Sequence, residues 1–462
     1  MKGVRFSGAF YRTVGAIFLL AVAGALALWW WQSRLPDEEI YIPQPEVVTP
    51  EVNLLRDYLR IDTSNPPGHE IEGAKFLAAE LSRRGVEAEI VESEPGRASV
   101  YARIRGRRSG EGLMLLSHLD VVPAEPADWR HPPFDGVIEL NQLWGRGVLD
   151  MKSITIAHLI AFAELSAAGG LERDLVFLSV ADEERGGKLG MEWIVENRPD
   201  MIEGVRYAVN EGGVTETIAG EVRYFGVEVG SKPMILVDLV ADERETLRRV
   251  RLDLEPWFEP QQPLRILPGV REYFQRVAPY RKAGGALLAD IDATVAAGRF
   301  WLLDRSYREL TTNTVWAEGP APGPEGEFRM KVRLSNLPDE DPETRMQFLR
   351  EQVGAEVRIE PILVMPSTPL SSTATPFFEH IRRTVGRHYG EVEVGPLVMA
   401  DIATDSRFLR SRGIDAYGFW PYPVDFFQTE GIHGVNERLR LDWFLQGIDL
   451  TRDLVGEWVR PK

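Results

Sequence analysis

Apolar positions along the chain follow two spacings, one typical of helices and the other of strands. Helical spacing predicts helices at residues 51–59, 70–84, 152–168 and 189–197. Short runs of mainly aliphatic residues predict strands at 86–91, 99–104, 113–116, 175–180 and 207–209. Because helices and strands alternate, the pattern predicts an α/β fold with a mostly parallel sheet that helices cover on both faces.

The pattern changes in the middle of the chain. Residues 224–239 alternate between apolar and polar positions, and a run rich in proline and glycine at 319–326 indicates a turn. The earlier pattern then returns and continues to the end of the chain. We therefore predict a discontinuous main domain at residues 51–215 and 367–462, interrupted by an inserted α+β domain at 216–366.

The N-terminal segment differs from the rest of the chain. Residues 14–31 carry no charge, follow three basic residues and are long enough to cross a membrane as a helix. We predict a membrane anchor at 1–34 and a tether at 35–50. The alternative is a cleaved signal peptide, because residues 25–27 resemble a cleavage site. Both alternatives place the main body on the periplasmic or extracellular side.

Charge and composition exclude several classes of function. Asp and Glu number 70 against 53 Lys and Arg, which gives a net charge of −17. Such a chain repels phosphate backbones, so nucleic acid is not an expected partner. The sequence has no cysteine. Disulfides, thiolate metal sites and thiol nucleophiles are therefore excluded, and any metal ion must be held by His, Asp and Glu.

Five short segments place histidine or acidic residues at or just after the predicted strands. The residues that carry chemistry in them are His118, Asp120, Asp150, Glu183, Glu184, Glu211 and His433. Side chains two residues apart point to the same side of a strand, so a carboxylate can fix the tautomer of a neighbouring imidazole. Together, two histidines and several carboxylates form a nitrogen and oxygen set suited to two divalent ions that share a bridging carboxylate.

Each of these segments has a structural alternative when it is taken alone. A histidine at a strand end is commonly a surface or capping residue. Asp150 could be the N-cap of the helix that follows it. The acidic run at 182–184 could be a solvated loop, although acids at the end of a buried strand are costly without a compensating cation.

The ordered set of segments resembles the M20 family of di-zinc metallopeptidases, and its carboxypeptidase S and aminoacylase-1 branch in particular. Further matching segments are Asp62-Thr63-Ser64-Asn65-Pro66-Pro67-Gly68, Trp129-Arg130-His131-Pro132-Pro133-Phe134, Thr404-Asp405-Ser406-Arg407 and Ala416-Tyr417-Gly418-Phe419-Trp420-Pro421. The similarity covers about residues 52–459. It implies that the inserted domain is a lid over the metal site.

The resemblance also implies two Zn²⁺ ions as cofactors, with Co²⁺ or Mn²⁺ as alternatives. His118 and Glu211 would bind one ion, and Glu184 and His433 would bind the other. Asp150 would bridge the two ions, and family members commonly have a cis peptide bond directly after this residue.

The catalytic roles follow from the same resemblance. Glu183 would be the general base that takes a proton from a metal-activated water and passes it to the leaving nitrogen. Asp120 would orient the histidine at the end of its strand. The substrate would be a small peptide or an N-acyl amino acid with a free carboxylate next to the scissile amide.

Residues that would bind the substrate carboxylate or the oxyanion are Arg333 and Asn313 of the inserted domain and Arg407 of the main domain. Packing against the main sheet is the alternative for Arg407. Related dimeric enzymes supply a histidine from the lid of the partner, so the resemblance also allows a homodimer through the lid. This chain departs from the family there, because no histidine lies between Gly212 and Glu379.

These observations predict a membrane-anchored, exported metallo-exopeptidase or amidohydrolase. The alternative is a noncatalytic or weakly active metal-containing protein that uses its altered lid to hold a ligand. A membrane scaffold without chemistry is a third interpretation. Presence of the predicted general base, Glu183, favours the enzyme, because metal binding alone does not require it.

Overall fold

A computed structural model describes residues 47–218, 221–259, 264–282, 284–390, 392–400, 403–424 and 431–460. The predicted membrane anchor and most of the predicted tether lie outside these ranges. In the part of the chain that the structure describes, no helix has both the length and the apolar character needed to cross a membrane. The membrane as a partner therefore stays a prediction.

The described residues form helices and strands in the alternating order that the pattern predicts. The helices are α1 (Pro50–Leu59), α2 (Glu70–Arg83), α3 (Ser153–Ala168), α4 (Met191–Asn197), α5 (Arg244–Leu254), α6 (Pro268–Val277), α7 (Gly285–Ala289), α8 (Ile291–Ala296), α9 (Arg305–Glu309), α10 (Pro342–Gln352), α11 (Pro376–Tyr389), α12 (Ser406–Arg410) and α13 (Leu441–Val459). The first helix begins where Thr49 accepts a hydrogen bond from the Val52 N–H, with proline at the first helical position.

The strands belong to three sheets. They are β1 (Glu89–Glu94), β2 (Arg97–Ile104), β3 (Arg108–His118), β4 (Val137–Glu139), β5 (Gln142–Trp144), β6 (Arg173–Val180), β7 (Val205–Asn210), β8 (Thr215–Ile218), β9 (Glu221–Ser231), β10 (Met234–Ala241), β11 (Thr314–Ala317), β12 (Ala321–Pro322), β13 (Phe328–Ser335), β14 (Arg358–Val364), β15 (Glu393–Met399), β16 (Asp415–Gly418) and β17 (Arg438–Arg440). The strand predicted at 86–91 therefore begins and ends three residues later.

The largest sheet has the strand order β1-β2-β6-β3-β7-β16-β9-β15, with β8 paired to β9. Strands β6, β3, β7 and β16 are parallel neighbours, whereas β1, β2 and β6 are antiparallel to one another in turn. The prediction of a mostly parallel sheet is thus wrong, and the sheet is mixed. One reason is the two-residue connection between β1 and β2, because so short a connection joins only antiparallel strands.

Successive residues of the central strands enter two different hydrophobic cores. In β3, Leu113 and Leu115 pack in the core that contains α1, α3 and α13. Met114 and Leu116 pack in a second core, which contains α4 and α12. Because strand side chains alternate between faces, this division shows that helices cover both faces of the sheet, as the pattern predicts.

The second sheet has the order β11-β13-β10-β14, with β12 paired to β13. One face packs against α5 and α10 and forms a third core. The alternating segment 224–239 contains strands of both sheets, since β9 belongs to the large sheet and β10 to the second. We call the second sheet with α5 and α10 the lid. The division of the chain into domains at residues 215 and 366 stays a prediction.

Candidate metal centre

The three central parallel strands deliver four of the predicted site residues to one edge of the large sheet. His118 is the last residue of β3, Glu183 and Glu184 follow the end of β6, and Glu211 directly follows β7. Strands β6, β3 and β7 are adjacent and parallel. Their carboxyl ends therefore meet, which is where open α/β sheets place their ligands.

A small sheet brings the other two predicted ligands to the same place. Strand β17 pairs with β5, so that Arg438 lies opposite Trp144. The loop before β17 carries His433, and the loop after β5 leads to Asp150. The peptide bond from Asp150 to Met151 is cis, which confirms that expectation from the resemblance.

Asp150 lies between the two histidines. Its Oδ1 is 2.9 Å from Nε2 of His118, and its Oδ2 is 3.0 Å from Nε2 of His433. The same His433 nitrogen is 3.0 Å from Oε2 of Glu184, and the His118 nitrogen is 3.6 Å from Oε1 of Glu211. Each histidine is therefore paired with a carboxylate of its own, and Asp150 is shared.

The carboxylates form two overlapping groups around His118. Possible ligand atoms of His118, Asp150 and Glu184 lie within 4.8 Å of one another, as do those of His118, Glu183 and Glu211. Oε1 of Glu184 is buried and has no hydrogen-bond partner among the described residues. A buried carboxylate oxygen without a donor is costly, and a cation at this position would satisfy it. The residues present thus fit divalent metal ions.

Burial and crowding of the carboxylates change their acidity. Burial raises the pKa of Glu183 well above its usual value, with a further contribution from Glu211. Burial and the charge of Asp150 raise the pKa of Glu211 to about 8. Burial opposes protonation of His433, yet hydrogen bonds with Asp150 and Glu184 raise its pKa to about 11. This electrostatic pattern indicates a site with excess negative charge that attracts cations.

The position of Asp120 differs in part from the prediction. The nearest partner of His118 Nδ1 is the backbone carbonyl of Asp120 at 2.8 Å, and the Asp120 carboxylate is 3.5 Å away. The carboxylate instead accepts hydrogen bonds from the backbone N–H groups of Glu183 and Glu184, both at 3.1 Å. Asp120 therefore holds both the histidine and the adjacent Glu pair.

Sequence reasoning missed a buried polar network behind this turn. Asp182 has a φ of +68° and accepts hydrogen bonds from Asn65 at 3.1 Å and from Arg97 at 2.6 Å. Arg97 also donates two hydrogen bonds to Glu70, at 2.7 and 2.8 Å. Asn65 donates to Asp120 as well, at 2.9 Å. The network fixes the turn that carries Glu183 and Glu184, and its only sequence signal is the matching segment at 62–68.

A second missed element is the buried pair of Arg146 and Glu437. Glu437 accepts hydrogen bonds from Arg146 at 2.7 Å and from the backbone N–H groups of residues 147, 149 and 150. Arg146 also donates to the Gly434 carbonyl at 2.7 Å. The pair therefore joins the loop of Asp150 to the loop of His433.

We expect Glu437→Ala to lower the free energy of unfolding by about 3–5 kcal/mol, because it leaves Arg146 buried without its counter-charge. Both side chains are at most 3% exposed. Urea unfolding measures the effect. The matched control is Glu457→Ala, whose pair with Arg387 is about half exposed and should contribute about 1 kcal/mol or less. Equal losses in both variants would contradict the assigned role.

The predicted substrate-binding residues lie in three different environments. Arg407 is buried, donates to the Gly186 carbonyl at 2.7 Å and stacks on Phe408. It therefore supports the turn that carries Glu183 and Glu184, which we call the metal-site turn. Asn313 contacts Glu340 at 3.3 Å and accepts from the Leu337 N–H at 2.7 Å, both within the lid. These contacts favour a structural role for both Arg407 and Asn313.

Arg333 lies on the face of the lid sheet that is opposite α5 and α10. Its neighbours in sequence, Val332 and Leu334, pack in the lid core, so its own side chain points the other way. The guanidinium carbon is 5.8 Å from the ring centre of Trp316. Of the three predicted residues, only Arg333 is on this face of the lid sheet.

Comparisons with known proteins agree with this geometry. The model for Peptidase family M20/M25/M40 matches residues 114–457. Aminoacylase-1 from Mus musculus is 28% identical over 435 residues, which cover 89% of this chain and 96% of that protein. Probable carboxypeptidase S-like 2 from Dictyostelium discoideum is 24% identical over 375 residues, which cover 74% of this chain and 71% of that protein.

A solved structure shows the same fold. It is the M20 family metallo-carboxypeptidase Sso-CP2 from Sulfolobus solfataricus, with a TM-score of 0.68 and 18% sequence identity. The match covers 90% of this chain and 100% of that chain. The family expected from the strand-end motifs is therefore confirmed. The chain belongs to the peptidase family M20/M25/M40 and is a metallo-exopeptidase or amidohydrolase that carries out metal-dependent amide hydrolysis.

Proposed function

We propose that the protein uses two Zn²⁺ ions to hydrolyse an amide bond next to a free carboxylate, in a peptide C-terminus or an N-acyl amino acid. The observation that carries this proposal is the position of Asp150, which presents one carboxylate oxygen to each histidine. A single structural ion would not need a carboxylate shared between two histidines. The names of the two curated relatives, an aminoacylase and a carboxypeptidase, support this substrate class.

His118 and Glu211 would hold one ion, Glu184 and His433 the other, and Asp150 both. Imidazole nitrogen with carboxylate oxygen is a ligand set that Zn²⁺ uses in catalytic sites, and Co²⁺ or Mn²⁺ are the alternatives. When bound, the ions would polarise the scissile carbonyl and lower the pKa of a water molecule to about 7.

Glu183 would accept the proton of the attacking water and pass it to the leaving nitrogen. Its backbone N–H is fixed by Asp120, and its carboxylate lies in the group with His118 and Glu211. The chain thus supplies a base next to, and distinct from, the five proposed ligands.

The alternative is a weakly active metal-containing protein whose altered lid mainly holds a ligand. The observation in its favour is the absence of histidine between Gly212 and Glu379, since loss of one oxyanion donor typically costs about 100- to 1000-fold in rate. Zinc-loaded protein should be tested with dipeptides and N-acyl amino acids, each beside its carboxamide analogue. Efficient turnover of the free acids supports the proposal, and bound zinc with very slow turnover supports the alternative.

Arg333→Ala should lower kcat/KM about tenfold or more for free acids, and much less for their carboxamides. A charge-assisted bidentate contact of a guanidinium with a carboxylate explains the difference. The matched control is Arg329→Ala on the same strand, whose guanidinium pairs with Asp238 and Glu360 within the lid sheet. If free acids and carboxamides lose activity equally, Arg333 does not bind the carboxylate.

A further inference from the structure

The face of the lid sheet opposite α5 and α10 carries one row of side chains that ends near the turn following Glu184. Cross-strand pairing places Trp316 opposite Arg333, Arg333 opposite Leu236, and Leu236 opposite Leu363. Directly opposed residues of a sheet point to the same face. The row therefore crosses four strands in the order β11, β13, β10 and β14.

The Leu363 end of the row lies against the turn that carries the proposed base. A Cβ atom placed on Gly186 would be 3.8 Å from Cδ1 of Leu363. Gly186 follows Glu184 by two residues, and Arg407 holds its carbonyl. Neighbouring strands are about 4.8 Å apart, so Arg333 is about 10 Å from Leu363 along the row. The two leucines thus lie between the metal-site turn and the arginine.

Charged groups of the same face are concentrated one step away from this row. Asp238 and Glu360 lie opposite each other, and both pair with Arg329, at 3.3 and 2.9 Å. Lys331 also lies opposite Asp238, so two carboxylates and two cations lie together on this part of the face. Apart from Arg333, the row itself is aromatic or aliphatic, and Trp316 is 43% exposed.

We propose that the substrate residue with the free carboxylate has an apolar side chain, which packs on Leu236 and Leu363 while Arg333 holds the carboxylate. The inference rests on the proposed function and specifies its substrate class. A carboxylate and the side chain on the same Cα are only a few ångströms apart. A carboxylate held by Arg333 therefore places that side chain beside the leucines. A charged side chain would be desolvated against the two leucines.

The test compares leucine, glutamate and lysine as N-acetyl amino acids and as glycyl dipeptides. In the zinc-loaded wild-type protein, kcat/KM for leucine should exceed the other two at least about tenfold. Leu236→Asn, which is similar in size but polar, should reduce this ratio by about tenfold, and Leu236→Met should keep it. Leu252→Asn is the matched control, because Leu252 is 59% exposed on α5, on the other side of the lid.

The outcomes separate the two proposals. Equal turnover of the three residues, or an unchanged ratio in Leu236→Asn, would overturn the inference and leave the proposed function standing. No turnover of any compound would overturn the proposed function and this inference with it. If Leu236→Asn does not fold, Leu363→Asn on the edge strand β14 takes its place, with the same expected loss of ratio.

Discussion

Glu183→Gln is expected to lower kcat by about 10²- to 10⁴-fold while both metal ions stay bound. A neutral amide has the shape of the carboxylate but cannot accept a proton, and loss of a general base typically costs this much. The five proposed ligands are unchanged in this variant. Steady-state hydrolysis of the preferred substrate and metal analysis of the same sample measure the two quantities together.

The matched control is Glu196→Gln, since Glu196 is exposed on α4. It should change neither kcat nor metal content. If Glu183→Gln kept full kcat, the base would have to be another residue. If it lost one ion together with its activity, Glu183 would be a ligand and the assignment of the adjacent Glu pair would be reversed.

The sequence predicts the positions of the site residues better than the order of the strands in the large sheet. Each proposed ligand ends or follows a strand or lies in a loop next to the small sheet. The ligands at the strand ends can be recognised from short apolar runs that end in an acid or a histidine. The order of the strands cannot be recognised in this way. Whether β1 and β2 are antiparallel depends on a two-residue connection. Strands β9 and β10 belong to different sheets, yet the alternation of apolar and polar residues at 224–239 continues across both.

The buried residues that support the metal site also could not be predicted from the spacing of apolar residues. Arg97 and Glu70 are 27 positions apart, and Arg146 and Glu437 are 291 positions apart. Nothing in the local sequence indicates that such residues will be buried together. Only their burial in the folded protein shows that these carboxylates have partners. Glu70 and Glu437 are at most 1% exposed, and a buried carboxylate requires a partner. Asp120 illustrates the same limit, since its main partners are backbone groups of a distant turn.

Asp150→Ala is the ligand substitution with the largest expected effect, because it removes an oxygen from both proposed ions. We expect the purified, dialysed variant to keep far less than one ion per chain and to show no measurable hydrolysis. His433→Ala should differ, since it removes one ligand from one ion. That variant should keep about one ion, held by His118, Glu211 and Asp150. Metal content by mass spectrometry and rate measurements on the same samples distinguish the two.

Asp128→Ala, at an exposed position, is the matched control and should keep two ions and full activity. Circular dichroism of the three variants and the wild-type protein shows whether the fold is preserved. Because His433 is about half exposed, its removal should not disturb packing. If Asp150→Ala kept one ion, as His433→Ala is expected to, Asp150 would bind a single ion. The proposal that two ions share Asp150 would then have to be abandoned.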